Sequence, residues 1–383
     1  MAETLTILGA SARAAAFSAV RAGFAPVVGD LFADVDLAAC CAATRVGRYP
    51  HDLERVCAGP QSGPWMYTGA LENWPHLVER MARRRPLLGA SAASLCKVRD
   101  PLRLRKALAA AGIDAPRVTL DPREVPQDGS WLRKPLRSAG GHHIEHFAGA
   151  MPSREQHSWY YQEYMSGSAC SAVFVADGQT AVLLGATRQL VGKAWSRARP
   201  FQYCGSVGPL PLTPASQASL CAIGTCVAQT FELQGVFGVD YVESDGRLWP
   251  IEVNPRYTAS AEILEWVLNK PVVGLHVDAC VRGLLPAWRV PDPMQVCGKA
   301  VLFICRSITA SKNVSQWLLD QNRDASLGGP DGTTWPRFAD ILQPGTQLRA
   351  GAPVLTLFAR GDDEGSVVAQ LRELAEIVEQ RLY

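Results

Sequence analysis

The chain has 383 residues, of which 48% are hydrophobic and 19% are charged, and its formal net charge is +2. The charged share is below the ~25% that is typical of globular proteins, and the net charge is small, which excludes a disordered chain or a polyanion-coating protein as the expected class. At ~150 residues per domain, this length suggests two or three domains or subdomains. There is no run of ~18 apolar residues, so we expect no membrane span, and the first residues predict a strand rather than a signal peptide.

The chain opens with an α/β pattern. An apolar run at 4–8 is followed by Gly9, an alanine-rich helical stretch at 12–22 and a second strand that ends at Asp30. The turn after the first strand lacks the second and third glycines of the fingerprint GxGxxG, so we do not expect NAD binding. A helix rich in Leu, Arg and Ala then runs to Gly112, which is a suitable C-terminal stop.

The composition changes after a linker at 113–116, where short strands begin to dominate. This shift predicts a small β-rich subdomain that ends near residue 187. Longer elements follow, and the sequence predicts a helix from Thr213-Pro214 to about 233, strands at 235–243 and 247–254, and helices at about 259–269 and 364–382. The expected division is an N-terminal domain (1–112), a β-rich subdomain (113–187) and a C-terminal domain with an extension (188–383).

Eleven cysteines are spread along the chain, an odd number with no CxxC pair. Most of them lie in apolar runs such as CAIGTCVAQ and AVLFICRS. This usage is typical of buried, reduced thiols in a cytoplasmic protein, and a disulfide framework or a zinc site is the less favoured alternative.

The segment WLRKPLRSAGGHHI at 131–144 combines a lysine with a glycine loop. Lys134 ends a predicted strand, and Gly140-Gly141 follow six residues later. Adjacent glycines let the backbone approach a polyanion, and successive free N–H groups form an anion-binding nest. Lys134 would add a point charge for a phosphate. A strand-end lysine before a Gly-Gly hairpin is also common in proteins that bind no phosphate, so this segment alone leaves both interpretations open.

The segment WYYQEYMSG at 159–167 is a strand that runs into a turn at Gly167. Its Gln162 and Glu163 could belong to a hinge whose backbone and carboxylate contact an adenine edge. The alternative is a solvent-facing Gln-Glu pair on an ordinary strand.

Three hard oxygen ligands, Asp240, Glu252 and Asn254, lie on two consecutive predicted strands. Glu252 and Asn254 are two residues apart and therefore face the same way. Carboxylate and amide oxygens with no nearby Cys or His suit Mg²⁺ rather than zinc. An exposed polar strand edge is the alternative interpretation.

The register of this hairpin decides whether Asp240 joins the other two ligands. A two-residue Asp-Gly turn would place Asp240 opposite Ile251, on the wrong face. A three-residue turn at 244–246 would instead set Asp240 opposite Pro250, on the side of Glu252. A bulge in one strand would supply the missing residue in another way. We predict the three-residue turn.

The order of these motifs resembles the ATP-grasp superfamily of ADP-forming ligases. Lys97 precedes the β-rich insert, Lys134 and the glycine loop follow, and then come QEYMSG, Arg188, Asp240 and the segment EVNPR. The resemblance covers roughly residues 1–290 and is strongest at 131–167 and 235–256. It implies an ATP-grasp fold of mixed α/β and α+β class, with a Rossmann-like N-terminal domain, a β-rich lid and a C-terminal domain, and with ATP held between the last two.

The resemblance also implies roles for individual residues. It implies ATP contacts from Lys97, Lys134, Gly140, Gly141, Gln162, Glu163, Tyr164 and Met165. It implies Mg²⁺ or Mn²⁺ ligation by Asp240, Glu252 and Asn254, and, as a looser match, catalytic arginines near the transferred phosphate at Arg188 and Arg256.

The sequence departs from the superfamily pattern at two places. Many members carry a glutamate that binds ribose two residues after the hinge glycine, and this chain has Ala169 there, so the resemblance does not carry over the ribose contact. The glycine loop is short and ends in His142-His143, with His146 beyond. We expect one imidazole to lie over the phosphates, and transition-metal binding is the less favoured alternative.

Within the superfamily, the chain resembles predicted carboxylate–amine ligases related to biotin carboxylase. The resemblance rests on RQLVGKAW, FQYCGSVGPLPL and the tail segment FADILQPGTQLRAGAPVLTLFARG. It implies an ATP-dependent ligase that forms an acyl phosphate from a carboxylate and transfers the acyl group to an amine, with some branch members accompanying C1-carrier metabolism. A bicarbonate-using carboxylase and a non-catalytic nucleotide-binding protein are the alternatives. The expected partners are ATP and small carboxylate and amine substrates, without nucleic acid or membrane, and a homodimer is considered.

Overall fold

The computed structural model describes residues 2–149, 158–287, 295–324, 327–328 and 334–383. They form three main sheets: a parallel four-stranded sheet, an antiparallel four-stranded sheet and an eight-stranded sheet. Residues 150–157 of the predicted lid lie outside the described part of the chain. The mixed α/β and α+β class predicted from the sequence is confirmed.

The N-terminal part is a parallel sheet flanked by helices. Its strands lie in the spatial order β3-β2-β1-β4, with bounds β1 (Thr4–Leu8), β2 (Ala25–Asp30), β3 (Ala42–Arg45) and β4 (Trp65–Tyr67). Its helices are α1 (Arg13–Arg21), α2 (Val35–Cys40), α3 (Leu53–Cys57), α4 (Pro75–Ala82), α5 (Ala92–Val98) and α6 (Pro101–Ala110).

The carboxylate at the end of β2 joins this sheet to the following turns. Asp30 accepts hydrogen bonds from the backbone N–H groups of Ala12 at 2.7 Å, Phe32 at 2.7 Å and Ala33 at 2.8 Å. Such bonds satisfy donors that would otherwise be left without a partner where helix α1 begins.

The antiparallel four-stranded sheet is smaller than the predicted lid. It contains β5 (Val118–Thr119), β6 (Trp131–Pro135), β7 (Glu145–His146) and β8 (Trp159–Glu163), in the order β5-β8-β6-β7. The sequence assigned residues up to 187 to this subdomain. The next two strands, β9 (Ser168–Asp177) and β10 (Ala181–Val191), instead belong to the eight-stranded sheet. This part of the prediction is wrong because β9 is a central strand, paired on one side with β10 and on the other with a later strand.

The eight-stranded sheet forms the centre of the molecule, with the order β13-β12-β9-β10-β11-β14-β20-β18. Its remaining strands are β11 (Tyr203–Gly208), β12 (Gln234–Ser244), β13 (Arg247–Asn254), β14 (Val296–Phe303), β18 (Phe338–Ala339) and β20 (Pro353–Gly361). Two short pairs complete the strands: β15 (Ile308–Thr309) with β19 (Gln347–Leu348), and β16 (Leu327–Gly328) with β17 (Thr334–Trp335).

Helices cover both faces of this sheet, because alternate residues of its buried strands point to opposite sides. On β9, Phe174 packs in the same cluster as Leu220 and Val227 of α7, whereas Val175 packs with Leu264 of α8. The helices of this region are α7 (Pro214–Phe231), α8 (Ala259–Leu268), α9 (Val272–Arg282), α10 (Lys312–Asp324) and α11 (Glu364–Leu382).

Neither a membrane-spanning helix nor a disulfide occurs among the described residues. No helix there has the length and apolar character needed to span a bilayer. All eleven cysteines carry free thiols.

Candidate functional site

The hairpin β12–β13 brings Asp240 and Glu252 onto one face, but its turn differs from the one we predicted. Ser244 pairs with Arg247, so the turn has only two residues, Asp245 and Gly246, whose φ angles are 49° and 73°. Positive φ at both positions is what a tight Asp-Gly hairpin turn requires. The predicted three-residue turn is therefore wrong.

A bulge supplies the residue that the short turn lacks. The pairing shifts between Asp240 and Tyr241: Tyr241 pairs with Pro250, while Asp240 pairs with Glu252, which leaves Ile251 as the extra residue. The predicted pairing of Asp240 with Pro250 is wrong, but the bulge restores Asp240 to the same face as Glu252.

The three predicted metal ligands lie together on this face. The Asn254 Nδ2 atom donates a hydrogen bond of 3.0 Å to Asp240 Oδ2. Burial and the neighbouring Glu252 raise the pKa of Asp240 to about 6. A divalent cation would offset the repulsion between the two carboxylates, and a donor set of oxygens alone suits Mg²⁺. No cluster of three or more His, Cys, Asp or Glu side chains suited to a metal occurs in the described part of the chain.

The bulge also connects the sheet to the lid. Gln162 of β8 donates from Nε2 to the carbonyl oxygen of the extra residue Ile251 at 3.4 Å, and its Oε1 accepts from Lys134 Nζ at 3.0 Å. Gln162 and Lys134 are both buried. Two residues predicted from separate motifs are thus joined directly beside the carboxylate pair.

Lys134 remains a cation in this buried position. Burial disfavours the ammonium, but Tyr160, Glu252 and Asp240 together raise the pKa of Lys134 above its ordinary value. The Nζ atom also lies 5.5 Å from the ring centre of Tyr160. A buried lysine that stays charged beside two carboxylates is suited to hold a ligand with phosphate groups.

The glycine loop borders the same space. Gly140 and Gly141 have φ angles of 64° and 76°, which disfavour side chains. A Cβ atom on Gly141 would lie 1.9 Å from the carbonyl oxygen of Phe201. Glycine is therefore required at 141 both by its backbone conformation and by its close packing.

Two clefts meet at this loop. We call the first the β-lid cleft; it contains about 540 Å³ of empty space including its mouth, and its polar lining includes Arg99, Lys134, Ser138, Gly140, Gly141 and Glu252. We call the second the interdomain cleft; it contains about 1410 Å³ including its mouth, and its polar lining includes Arg13, Asp34, His142, Arg256, Lys299 and Asp340. Ala139 and Gly140 line both clefts, so ligands in the two would approach each other at this loop.

Lys97 does not take the position implied by the resemblance. Its ammonium lies 3.8 Å from Glu232 Oε2, and its side chain is 41% exposed. Arg99 faces the β-lid cleft instead, donating to Glu252 Oε1 at 3.1 Å and to Asn73 Oδ1 at 2.9 Å. Arg99 was not predicted as a site residue. The available signal was Asp100, which caps helix α6 and so places Arg99 at the corner between α5 and α6.

Arg188 also lies away from the site, because it is on the opposite face of the sheet. Across β9 and β10, Asp240 pairs with Ser171 and Ser171 with Thr187, so the site face passes through Thr187 rather than its neighbour Arg188. Arg188 contacts Cys170 Sγ at 3.0 Å and lies 3.6 Å from Glu364. The geometry contradicts its predicted role at the phosphate.

Arg256 lies beside the predicted metal ligands. Its Nη2 atom donates to Asn254 Oδ1 at 3.1 Å, and its Nε donates to the fully buried Glu72 at 2.7 Å. Burial opposes the charge, but Glu72 and then Asp240 and Glu252 raise the pKa of Arg256. A chain of hydrogen bonds thus runs from Glu72 through Arg256 and Asn254 to Asp240.

The predicted hinge residues lie outside the lining of the β-lid cleft. Glu163 accepts two hydrogen bonds from the Arg117 side chain, at 3.1 and 3.2 Å, which lower the pKa of Glu163. The Tyr164 N–H donates to the Ser130 carbonyl at 2.9 Å, and Met165 is half-buried. The predicted contact of the Glu163 carboxylate with adenine is therefore not supported, because both carboxylate oxygens already accept hydrogen bonds from Arg117.

The histidines near the glycine loop have separate surroundings. His142 lines the interdomain cleft, and its Nδ1 lies 2.9 Å from Arg199 Nη2. Burial and then Arg199 lower the pKa of His142, which favours the neutral imidazole. His146 packs against Tyr164, with ring centres 4.8 Å apart.

The two arginines predicted as catalytic are expected to behave differently when they are replaced. Arg188→Gln should leave the KM for ATP within about twofold of the parent value, because its contacts lie on the far face. Arg256→Gln should lower kcat/KM markedly, since it leaves Glu72 and Asn254 without their partner. Steady-state ADP release measures both variants, and an equal loss in the two would contradict the assignment of faces.

Comparison with known proteins finds relatives for part of the sequence and for the fold. Residues 98–260 match the ATP-grasp domain family. The arginine-specific large chain of carbamoyl phosphate synthase from Lactiplantibacillus plantarum is 24% identical over 178 residues, which cover 45% of this chain and 17% of that protein's length.

Two solved structures show the fold over nearly the whole chain. The L-amino acid ligase of Bacillus licheniformis is 14% identical with a TM-score of 0.70, and the match covers 98% of this chain and 97% of that one. The biotin carboxylase domain of the Hydrogenobacter thermophilus 2-oxoglutarate carboxylase, solved with MgADP, ADP and bicarbonate, is 12% identical with a TM-score of 0.68 and coverage of 96% and 88%.

The family match identifies the central part of the chain, residues 98–260. The chain contains an ATP-grasp domain, and the resemblance to the ATP-grasp superfamily is confirmed. ATP-grasp enzymes are ligases that use ATP and Mg²⁺.

Proposed function

We propose that the protein is an ADP-forming ligase that activates a carboxylate with ATP as an acyl phosphate and transfers the acyl group to an amine. The observation that carries this proposal is the meeting of two clefts at Gly140, one beside Lys134 and the paired carboxylates and the other beside Arg256. A phosphoryl group held in the β-lid cleft would be presented to a carboxylate held in the interdomain cleft. This arrangement suits a reaction that depends on positioning and charge stabilisation.

ATP would occupy the β-lid cleft, where its phosphates would contact Lys134, Arg99 and the backbone N–H groups of Gly140-Gly141. Asp240, Glu252 and Asn254 would hold Mg²⁺ beside them. When bound, the ion supplies positive charge that offsets the charge on the transferred phosphoryl group. The raised pKa of Asp240 fits this assignment, because burial and then the neighbouring Glu252 disfavour its charge until a cation binds.

The carboxylate substrate would lie in the interdomain cleft near Arg256. Its oxygen would attack the terminal phosphorus of ATP, with ADP as leaving group, and the amine would then displace phosphate from the acyl carbon. The assignment to the biosynthesis of a C1-carrier cofactor is a proposal that rests on the sequence resemblance alone. A cytoplasmic location, proposed from the free thiols, and a homodimer, proposed from the dimeric carboxylase domain, complete this account.

A bicarbonate-dependent carboxylase is the second candidate, and the bicarbonate bound in the Hydrogenobacter structure favours it. The two candidates differ in what drives ATP turnover. ADP release should be measured against pooled carboxylic acids with pooled amines, and separately against bicarbonate. A ligase requires an acid and an amine together, whereas release driven by bicarbonate without a pooled carboxylic acid would favour the carboxylase.

Magnesium binding should weaken in acid with a midpoint set by Asp240. Its pKa is raised to about 6, so the folded protein holds the Asp240 proton more tightly than the unfolded chain does. The free energy of unfolding of the metal-free protein therefore falls as the pH rises from about 4 to 6. Mg²⁺ binds the ionised form, so its stabilisation should be larger near pH 7 than near pH 5. Thermal unfolding with EDTA or Mg²⁺ at both pH values measures this, and Asp240→Asn should remove the difference. An equal Mg²⁺ effect at both pH values would contradict the prediction.

The small antiparallel sheet is expected to close over ATP as a lid. Its described contacts with the large sheet near the site include the bond from Gln162 to Ile251, and its glycine loop borders both clefts. Hydrogen exchange with a non-hydrolysable ATP analogue should show added protection at residues 134–145. Helix α11 lies away from both clefts and serves as the internal reference. Unchanged exchange at 134–145 with bound analogue would contradict lid closure.

A further inference from the structure

Two carboxyl groups from distant parts of the chain line the interdomain cleft. Asp34 and Asp340 line the cleft. Asp36 accepts hydrogen bonds of 3.0 Å from the backbone N–H groups of Asp340 and Ile341. The Val35 N–H donates to the Ile341 carbonyl at 2.7 Å, so the start of helix α2 is fastened to the 340–341 segment.

The cations in this region are already bound to other carboxylates. Arg13 donates from two nitrogens to Glu262, at 2.6 and 3.1 Å, and from Nε to Asp340 at 2.8 Å. Lys299 donates to Glu262 at 2.9 Å. Burial opposes the Glu262 charge, but these two partners lower the pKa of Glu262 to about 2. Arg13 is therefore paired with Glu262 and Asp340 and lies 3.8 Å from Asp36, and Lys299 is paired with Glu262. Among the described contacts, neither cation forms an ion pair with Asp34.

Asp34 is the carboxylate that this network leaves unsatisfied. It is only 5% exposed, and its buried Oδ1 has no hydrogen-bond partner among the described residues. It precedes helix α2 as the N-cap residue, but its side chain makes no capping bond. Burial and then Asp340 and Asp36 raise the pKa of Asp34 to about 9. A buried carboxyl oxygen without a partner is costly, so its position in the wall of a cleft points to a ligand.

We propose that the interdomain cleft binds a substrate with a primary ammonium group, and that Asp34 is the residue that binds this group. The inference rests on the proposed ligase function, in which this substrate is the amine that receives the acyl group. The ammonium would donate to the unpaired Asp34 oxygen. One of its protons passes to the Asp34 carboxylate, the neutral amine then attacks the acyl carbon, and phosphate leaves with the second proton. The lining of the same cleft includes Val301, Phe303 and Leu355, so the body of the amine is apolar.

A metal ion fits this position less well than an ammonium does. Both Asp36 oxygens accept from backbone N–H groups, and Asp340 accepts from Arg13 and from Thr356. A hard divalent cation needs about six or more oxygen ligands, whereas an ammonium needs few acceptors. Among Asp34, Asp36 and Asp340, only Asp34 has a buried carboxyl oxygen without a partner in the described residues.

The test compares Asp34→Asn with Asp362→Asn, an exposed aspartate outside both clefts. Amide synthesis is measured with L-leucine, n-butylamine and ethanolamine as amines and the pooled carboxylic acids as acids. Asp34→Asn should raise the KM for the amine by about tenfold or more, because one charge-assisted hydrogen bond is lost. It should not lower the midpoint of thermal unfolding, because asparagine nearly matches aspartate in shape and the carboxyl that it replaces has an unpaired buried oxygen. Asp362→Asn should match the parent protein.

An unchanged KM for the amine in folded Asp34→Asn would overturn the inference. If that variant does not fold, Asp34→Ser takes its place, because serine keeps a helix-capping hydroxyl without the charge. Hydroxylamine, which is largely uncharged at neutral pH, separates this failure from failure of the proposed function. Parent protein that forms hydroxamate shows acid activation whatever happens at Asp34, whereas parent protein that forms none from any acid overturns both proposals.

Discussion

Replacement of Glu252 by glutamine is expected to remove turnover while leaving part of the nucleotide affinity. Glu252 lies opposite Asp240 and lines the β-lid cleft, where the metal charge matters most as the phosphoryl group is transferred. Loss of this proposed metal ligand should remove several kcal/mol of transition-state stabilisation, so kcat should fall by roughly a hundredfold or more. Glu243→Gln is the matched control, since Glu243 lies on the same hairpin but beside Arg188 on the other face.

Lys134→Ala is expected to show the converse pattern. Lys134 is buried and should contact the nucleotide before any charge shifts, so ATP affinity should fall by about 1.5–3 kcal/mol. Lys97→Ala is the control, because its side chain points away from the cleft and should bind ATP normally. Calorimetric ATP titration beside a coupled ADP assay measures both quantities. Equal losses of affinity and turnover in Glu252→Gln and Lys134→Ala would contradict this division of roles.

Gly141→Ala is expected to damage both the fold and the activity. A Cβ atom at 141 would meet the Phe201 carbonyl at 1.9 Å, and the φ angle there is 76°. The Gly140 carbonyl accepts a hydrogen bond from the Tyr203 N–H at 3.1 Å, which holds the loop against the start of β11. The loop would have to move away from β11 to make room for the added Cβ atom. Strain alone costs about 1 kcal/mol, and overpacking adds about 1–3 kcal/mol.

Gly246→Ala separates these two costs. Gly246 has a similar φ of 73°, but a Cβ there would meet no atom within 4 Å. Chemical denaturation should therefore show a loss of about 1 kcal/mol for Gly246→Ala and a larger loss for Gly141→Ala. ADP release should fall in Gly141→Ala but not in Gly246→Ala. Similar losses in both would mean that close packing at 141 does not matter.

The local parts of this structure could be predicted from sequence, because they depend on short-range chemistry. Thr213 and Pro214 fixed the start of α7, and its side-chain cap is present. The period-two argument correctly required Asp240 and Glu252 to share a face. It failed on the turn, because Asp245-Gly246 favours a two-residue hairpin and the bulge at Ile251 has no clear signature in one sequence.

Errors in the site arose where the fold decides the direction of a side chain. Lys97 and Arg99 are two residues apart on a short helix and its end, so the resemblance could not indicate which one faces the cleft. Arg188 was assigned by its order in the chain, whereas its face follows from pairing with β9. The contacts between residues 34–36 and 340–341 join segments about 300 residues apart, and one sequence carries no signal for them.

Trapping of an activated acid tests the central claim most directly. Parent protein is incubated with ATP, Mg²⁺, pooled carboxylic acids and hydroxylamine, and hydroxamates are identified by mass spectrometry alongside ADP. The account predicts at least one hydroxamate whose formation requires ATP, Mg²⁺ and the acid, and which is lost in Glu252→Gln. ADP release driven by bicarbonate, with no hydroxamate from any acid, would contradict it.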